Sequence, residues 1–168
     1  MNIKLRSQPY DEVGEKIIDF ITTDPGIREI FGGKITRVAA SEISLLIELN
    51  DIPIGFINLV SENINNILFL DMGISENYRG KGYGKEAIRI LLDCLGKDIT
   101  EYIIGETKET NSLANSMSNE NASLVHQKNG LNYYIFPAER KEEFVNSNIY
   151  IPFLEHCGNV PMKKKIFR

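Results

Sequence analysis

Ile67-Leu68-Phe69-Leu70-Asp71-Met72-Gly73-Ile74, then Ser75 to Tyr78, then Arg79-Gly80-Lys81-Gly82-Tyr83-Gly84 and Lys85 to Leu95 make the stretch that decides the fold of this chain. Its first eight residues are nearly all apolar, as a central strand covered on both faces requires. Its last eleven put Ile88, Leu91, Leu92 and Leu95 on one helical face, and Gly96 is placed to end that helix. Between strand and helix, alternating glycines free backbone N–H groups to point at an anion, and the helix N-terminus adds the positive end of its dipole. Arg79, Lys81 and Lys85 contribute further positive charge. The unit therefore suits a phosphate or pyrophosphate; a tight turn that needs glycine only for its backbone geometry is the competing reading. Two phosphate loops are excluded. A Walker loop needs Ser or Thr after Gly-Lys, and here Glu86 follows Gly84-Lys85. A dinucleotide fingerprint needs Gly-x-Gly-x-x-Gly after the first strand, whereas Gly80, Gly82 and Gly84 alternate in mid-chain.

Upstream, Ile3 to Arg6 reads as a short strand, and Asp11 can cap a helix whose face is Val13, Ile17, Phe20 and Ile21. Thr22 to Gly33 is a loop with a short helix through Ile27 to Phe31. Ile43 to Leu49 and Ile54 to Val60 form a β-hairpin around Asn50-Asp51, and Asn63 to Asn66 is a second polar turn. Downstream, Tyr102 to Thr107 is a strand. A polar stretch, Lys108 to Asn121, leads into a helix ending at Lys128-Asn129-Gly130. Leu131 to Phe136 is a strand, Pro137 to Asn146 a charged segment, and Asn148 to Phe153 a final strand. Hairpins followed by β-α-β-α-β predict an α+β fold with a mixed, mostly antiparallel sheet, in one domain over residues 1–168.

Composition agrees. The 168 residues are 42% hydrophobic and 25% charged, with a net charge of −4, the make-up of an ordinary globular protein rather than a disordered or fibrous one. The acidic balance argues against nucleic acid as a partner, because that affinity comes from clustered Lys and Arg. Lys163-Lys164-Lys165 and Arg168 form a local exception and read as a solvated terminus. No apolar run is long enough to cross a bilayer, and the first residues lack the pattern of a secretory signal, so a cytoplasmic protein with no membrane partner is expected. Cys94 and Cys157 match no metal-ligand spacing and read as reduced thiols, Cys94 on a core-facing helix flank; no metal is expected. His156 beside Cys157 has no placed third partner and is not read as a catalytic dyad.

Arg79-Gly80-Lys81-Gly82-Tyr83-Gly84 resembles the Arg/Gln-x-x-Gly-x-Gly/Ala motif of the GNAT acetyltransferases, and Lys85-Glu86-Ala87-Ile88 continues the likeness into the helix. Asn119-Glu120-Asn121-Ala122 and Lys128-Asn129-Gly130-Leu131 resemble the family's second motif, Asn-x-x-Ala/Ser followed by Lys-x-Gly-Phe. The wording is most similar to the branch that contains the ribosomal-protein N-terminal acetyltransferases. The resemblance implies a sheet whose fourth and fifth strands splay to admit the pantetheine arm of acetyl-CoA. It implies pantetheine pairing with the backbone of Met72, Gly73 and Ile74, and pyrophosphate held by Arg79, Gly80, Lys81, Gly82, Tyr83 and Gly84. Lys85 could touch a phosphate or remain solvated. Asn111 lies at the family distance from the fifth strand, and Asn119 at the family distance from Lys128-Asn129-Gly130. Asn119 is preferred for the cofactor contact, because packing at Val125 and Leu131 would set the helix.

The implied reaction is transfer of acetyl from acetyl-CoA to a primary amine of a small molecule or a protein N-terminus, by direct attack. The alternative is a non-catalytic acyl-CoA-binding module on the same fold. A primary amine arrives as ammonium and must lose a proton. Glu106, on the same strand face as Ile104 and spaced from Asn111 like the base of the ribosomal N-terminal acetyltransferases, is expected to take it, with partial burial suiting it to neutral pH. A backbone N–H near Met72 would meet the carbonyl oxygen. Where many family members carry a helical Tyr as proton donor to the leaving thiolate, this chain has His126. The acceptor would be framed by Asp24 to Arg37 and Pro137 to Asn148. The protein would act as a monomer or homodimer.

Overall fold

The structure, a computed structural model, describes residues 2–35, 41–96 and 99–166, with side chains except at 113, 117, 119 and 159–166. The strands are β1 (Ile3–Arg6), β2 (Ile43–Leu49), β3 (Ile52–Ser61), β4 (Ile67–Ile74), β5 (Tyr102–Lys108), β6 (Ser123–Lys128) and β7 (Leu131–Phe136). The helices are α1 (Tyr10–Thr23), α2 (Pro25–Phe31), α3 (Tyr83–Leu95), α4 (Ser112–Asn121), α5 (Lys141–Val145) and α6 (Tyr150–Ile166). One sheet carries all seven strands in the order β1-β2-β3-β4-β5-β7-β6. Its pairs are antiparallel except β4–β5, which is parallel and bridged by α3. None of the described helices is long and apolar enough to cross a membrane.

Each face of the sheet has its own cover. The faces of α1 and α2 that pack inward, including Val13, Ile17, Ile21 and Ile27, meet Leu46 and Phe56. On the same side, Phe144 of α5 and Phe153 of α6 pack on Phe69, Ile104, Tyr133 and Ile135. On the opposite side, Ile88 and Leu91 of α3 pack on Ile57, Leu70 and Ile103. Ile88 is fully buried, so its truncation to Ala would cost about 2–5 kcal/mol through lost transfer energy and the cavity left behind.

Four expectations are corrected. Ser123 to Lys128 is strand β6, not the end of a helix, because Asn129 (φ 54°) and Gly130 (φ 77°) form a left-handed two-residue turn that folds the chain back into β7. The helix lies earlier, at α4. Asn148 to Phe153 enters a helix rather than forming a strand: Ser147 and Phe144 close a turn, and Phe153 then buries against the α5 side. Cys94 is exposed rather than core, while Cys157 is buried. At α1, Pro9 precedes the first turn in an extended conformation, and Asp11 sits inside that turn rather than capping it. Of the basic tail, Lys163 to Lys165 have undescribed side chains, and Arg168 lies outside the described residues.

The feature that positions the site is where β4 and β5 part. They pair only from Ile67–Leu70 against Tyr102–Gly105. Beyond that point Met72 to Ile74 stay with β3, and Glu106 to Lys108 stay with β7. Glycines let each strand end hug its outer neighbour. A Cβ at Gly55 of β3 would overlap the carbonyl oxygen of Gly73, and one at Gly73 would meet the Phe56 ring at 2.8 Å. A Cβ at Gly105 would meet the Phe136 ring of β7 at 2.8 Å. Close packing outward opens the gap inward.

Candidate functional site

A cleft of about 270 Å³ opens at this gap. Met72, Gly73 and Ile74 form its β4 wall; Gly80, Gly82, Tyr83, Gly84 and Lys85 its floor; Asn111 and Ala114 of α4 its third side. The expected strand end and glycine loop are thus brought together around one space.

The loop geometry is that of an anion cradle. Gly80 (φ 74°) and Gly82 (φ 82°) are both left-handed, a conformation costly for any residue with a Cβ. Nothing lies within 4 Å of a Cβ built at either position, so backbone conformation rather than crowding demands glycine there. Gly82 is the N-cap of α3; the first-turn N–H groups that follow it have no partner within the helix, and their residues Tyr83, Gly84 and Lys85 line the cleft.

The cations behave differently from one another. Arg79 lines the cleft with its side chain already engaged: its Nε donates to the carbonyl of Ile74 at 2.9 Å, and its guanidinium lies 2.8 Å from where a Cβ on Gly26 would sit. Asp24 completes this clasp. It caps α2 by accepting from the Ile27 N–H at 3.1 Å, and it accepts from the Ser75 hydroxyl at 2.6 Å. Burial alone would raise its carboxyl. The Ser75, Ile27 and Glu76 hydrogen bonds together with the Arg79 charge outweigh that and hold it below the ordinary value. Arg79 therefore fixes the end of β4 against α2. Lys81 lies over the Tyr78 ring, and Lys85 pairs with Glu120 of α4 at 2.6 Å across the cleft, both side chains about half exposed.

Asn111 stands at the start of the helix that follows β5, accepting from the Ala114 N–H at 3.1 Å as the N-cap of α4, and it lines the cleft. Asn119 lies in the last turn of that helix, and its side chain is outside the described residues. The preference for Asn119 depended on a helix running to Gly130, which the β6–β7 hairpin replaces.

Glu106 lies one residue past the last β4–β5 pair, at the opening of the gap, and is exposed rather than partly buried. Its register partner on β7 is Tyr133, which shares a buried cluster with Cys157 and is close enough to Glu106 to feel its charge. Burial, then the Glu106 charge, pushes the Tyr133 phenol well above its ordinary range, so it remains a neutral hydrogen-bond donor. Burial pushes the Cys157 thiol up to about 12, which leaves it an inert thiol. This trio is not anticipated by the sequence: Tyr133 reads only as part of a strand and Cys157 as a reduced thiol, and register and the α6 helix bring them near Glu106.

His126 is not brought to the cleft. It lies on β6, with β7 between it and β5, and packs against the rings of Tyr133 and Phe153 on the α6 side. Its Nε2 is buried without a hydrogen-bond partner, and burial, then Lys128, lowers its pKa. Among the described residues no group of three or more His, Cys, Asp or Glu is arranged to hold a metal. Residues missed by sequence reasoning include Glu120 and Tyr78 on the cleft wall and Asp24. Asp24 carried a signal, since Asp before Pro-Gly is a helix-cap pattern.

Comparison with solved structures gives the same architecture. RimL, a ribosomal L7/L12 alpha-N-protein acetyltransferase, matches with a TM-score of 0.58 at 16% identity, over 82% of this chain and 95% of that one. AAC(6')-Ib in complex with parmomycin and acetyl-CoA matches with a TM-score of 0.63 at 17% identity, over 88% and 99%. Campylobacter jejuni N-acetyltransferase PseH in complex with acetyl coenzyme A matches with a TM-score of 0.56 at 15% identity, over 81% and 99%. A search of curated protein sequences gives no match. The profile of the acetyltransferase (GNAT) family fits residues 15–118, well over half the chain and including β4, the glycine loop, α3 and β5. By that match, and with the parted strands and left-handed glycine loop in place, the chain belongs to the GNAT acetyltransferase family.

Proposed function

We propose that this acetyltransferase carries acetyl from acetyl-CoA to the primary amine of a small molecule or a protein N-terminus. The observation that carries the reading is the gap between β4 and β5 opening onto the left-handed Gly80–Gly82 loop at the start of α3. A narrow slot edged by strand backbone fits an amide-bearing pantetheine arm, and an N-terminal cradle fits a pyrophosphate. Acetyl-CoA when bound supplies the activated thioester; the remaining work falls to the chain. Met72 to Ile74 offer backbone pairing, and an N–H there polarises the reacting carbonyl oxygen. Gly80 to Gly84 hold the pyrophosphate by backbone N–H groups, Lys85 adds charge after leaving Glu120, and Asn111 takes the contact that sequence spacing had assigned to Asn119.

Glu106 takes the ammonium proton as general base. Its place one residue past the last β4–β5 pair supports this, and the β5–β7 register sets it beside Tyr133, a buried phenol that stays neutral. The acidic balance of the chain favours a cationic acceptor by long-range steering and disfavours nucleic acid. We place the enzyme in the cytoplasm, as a monomer or homodimer.

A panel of amines, including a peptide N-terminus, a polyamine and an aminoglycoside, assayed for release of free CoA tests turnover and acceptor class together. Release with at least one amine is the expected result. Saturable acetyl-CoA binding with no release across the panel would instead support a non-catalytic acyl-CoA-binding module.

A further inference from the structure

The helix that closes the β5 side of the cleft is built from residues poorly suited to a helix. Six of the ten residues of α4 are Ser or Asn, which compete for backbone hydrogen bonds in other conformations. Yet its first turn carries Asn111 and Ala114, which line the cleft. Something other than helix propensity must fix that turn, and one side chain does so.

Asn115 Nδ2 donates to the carbonyls of Lys108 at 2.9 Å, Glu109 at 3.3 Å and Asn111 at 2.9 Å, the whole turn between β5 and α4. Asn115 Oδ1 accepts from Thr107 Oγ1 at 2.5 Å, Asn132 Nδ2 at 3.0 Å and Tyr134 OH at 2.9 Å, on β5 and β7. A carboxamide has two N–H donors and two acceptor positions on its oxygen, so six partners load it beyond its simple capacity through shared bonds. The two ends divide the work. The oxygen ties α4 to the sheet, and the nitrogen sets where the turn bearing Asn111 sits.

We propose that Asn115 is the positioning residue of the cofactor cleft, holding Asn111 at the angle needed to meet acetyl-CoA. This rests on the acetyl-CoA reading above. Asn115 touches no reacting atom; it acts through Asn111.

The test is a double-mutant cycle on acetyl-CoA affinity, read by calorimetry, with melting temperature recorded for each protein. Asn115→Asp keeps the oxygen side and loses the donors to the turn. It is expected to weaken acetyl-CoA binding about tenfold or more, the consequence of three carbonyls left facing a carboxylate. Tyr134→Phe removes one donor on the sheet side, and is expected to lower the melting temperature while leaving affinity within about twofold. In an Asn111→Ala background, adding Asn115→Asp is expected to cost little further affinity. Should Asn115→Asp fail to fold, Asn115→Ser, smaller and uncharged, reports the same cycle. Equal losses in both backgrounds, or a lower melting temperature with unchanged affinity, would overturn the proposal. So would an Asn111→Ala protein that binds acetyl-CoA like the wild type, an outcome that leaves the cofactor reading standing. A wild-type protein that does not bind acetyl-CoA would overturn both.

Discussion

Gly82 separates the cost of folding the loop from the cost of binding at it. The residue sits at φ 82° with no atom within 4 Å of a built Cβ, so Gly82→Ala meets no clash. It pays only for the left-handed conformation, about 1–2 kcal/mol. For a chain of this length that is a fall of about 2–8 °C in melting temperature. Gly82→Glu carries the same backbone cost and adds a carboxylate at the mouth of the cradle. At about 5 Å from one phosphate charge and an effective dielectric of about 20, the repulsion is about 3 kcal/mol, or two orders of magnitude in affinity. The assay is thermal unfolding of wild type, Ala and Glu proteins, with and without acetyl-CoA, at low and moderate salt. At one hundred times its dissociation constant the ligand should stabilise the wild type by about 2.7 kcal/mol. The Ala protein should melt lower and still respond to ligand; the Glu protein should melt at a similar temperature and respond hardly at all, with some recovery in salt. If the Glu protein responds as strongly as the Ala protein, the pyrophosphate does not lie against residues 79–84, and the assignment of the loop fails.

Glu106→Gln keeps the side-chain shape and removes its basicity, so turnover at neutral pH should fall about 100-fold or more, and the deficit should shrink as pH rises and more amine arrives neutral; a CoA-release assay against pH decides it. Gly55→Ala drives a Cβ into the Gly73 carbonyl, and the resulting shift of β4 should cost about 1–3 kcal/mol in urea unfolding and weaken acetyl-CoA binding as well. Glu120→Gln releases Lys85 and removes a negative charge from the cleft wall, so acetyl-CoA should bind up to about fivefold tighter at low salt, an advantage that fades as salt is added. Burial lowers the His126 pKa below its unfolded value near 6.5; the unfolded chain therefore takes up this proton first as pH falls, and stability is lost below about pH 6.5. His126→Leu should flatten that part of the curve of unfolding free energy against pH.

The part of the fold most legible in the sequence is the part held by backbone rules and large apolar faces. Ile67 to Ile74 reads as a covered strand because both its faces are apolar, and it is β4 to the residue. Asn50 and Asp51 both adopt left-handed geometry, as a two-residue hairpin between alternating strands demands. The same rule applied to Asn129-Gly130 would have given the β6–β7 hairpin. There the sequence pattern reads as a helix ending at Gly130, whereas the turn chemistry of Asn129-Gly130 closes a hairpin and the helix lies one element earlier, at α4. Ser112 to Asn121 gives little periodic signal to correct the error, since its described side chains are mostly polar and it is held by the Asn115 network rather than by a broad apolar face.

The site divides along a similar line. A loop proposed to bind through its own N–H groups takes the left-handed φ values that glycine adopts at no steric cost, so Gly80 and Gly82 stand out in the sequence. Side chains that act by position leave no such mark. Arg79 resembles a phosphate ligand by charge and spacing, yet its side chain is taken up by the Ile74 carbonyl, the Asp24 charge and the space left by Gly26. Tyr133 has no role assigned from sequence beyond its place in the Leu131 to Phe136 strand, and becomes the neighbour of Glu106 only through the β5–β7 register. His126 fails in the opposite direction, since its strand pairs with β7 and not with β5, and its ring packs against Tyr133 and Phe153 on the α6 side. On the proposed reading, a cofactor gripped by backbone would be readable residue by residue, whereas proton transfer would depend on which strands become neighbours.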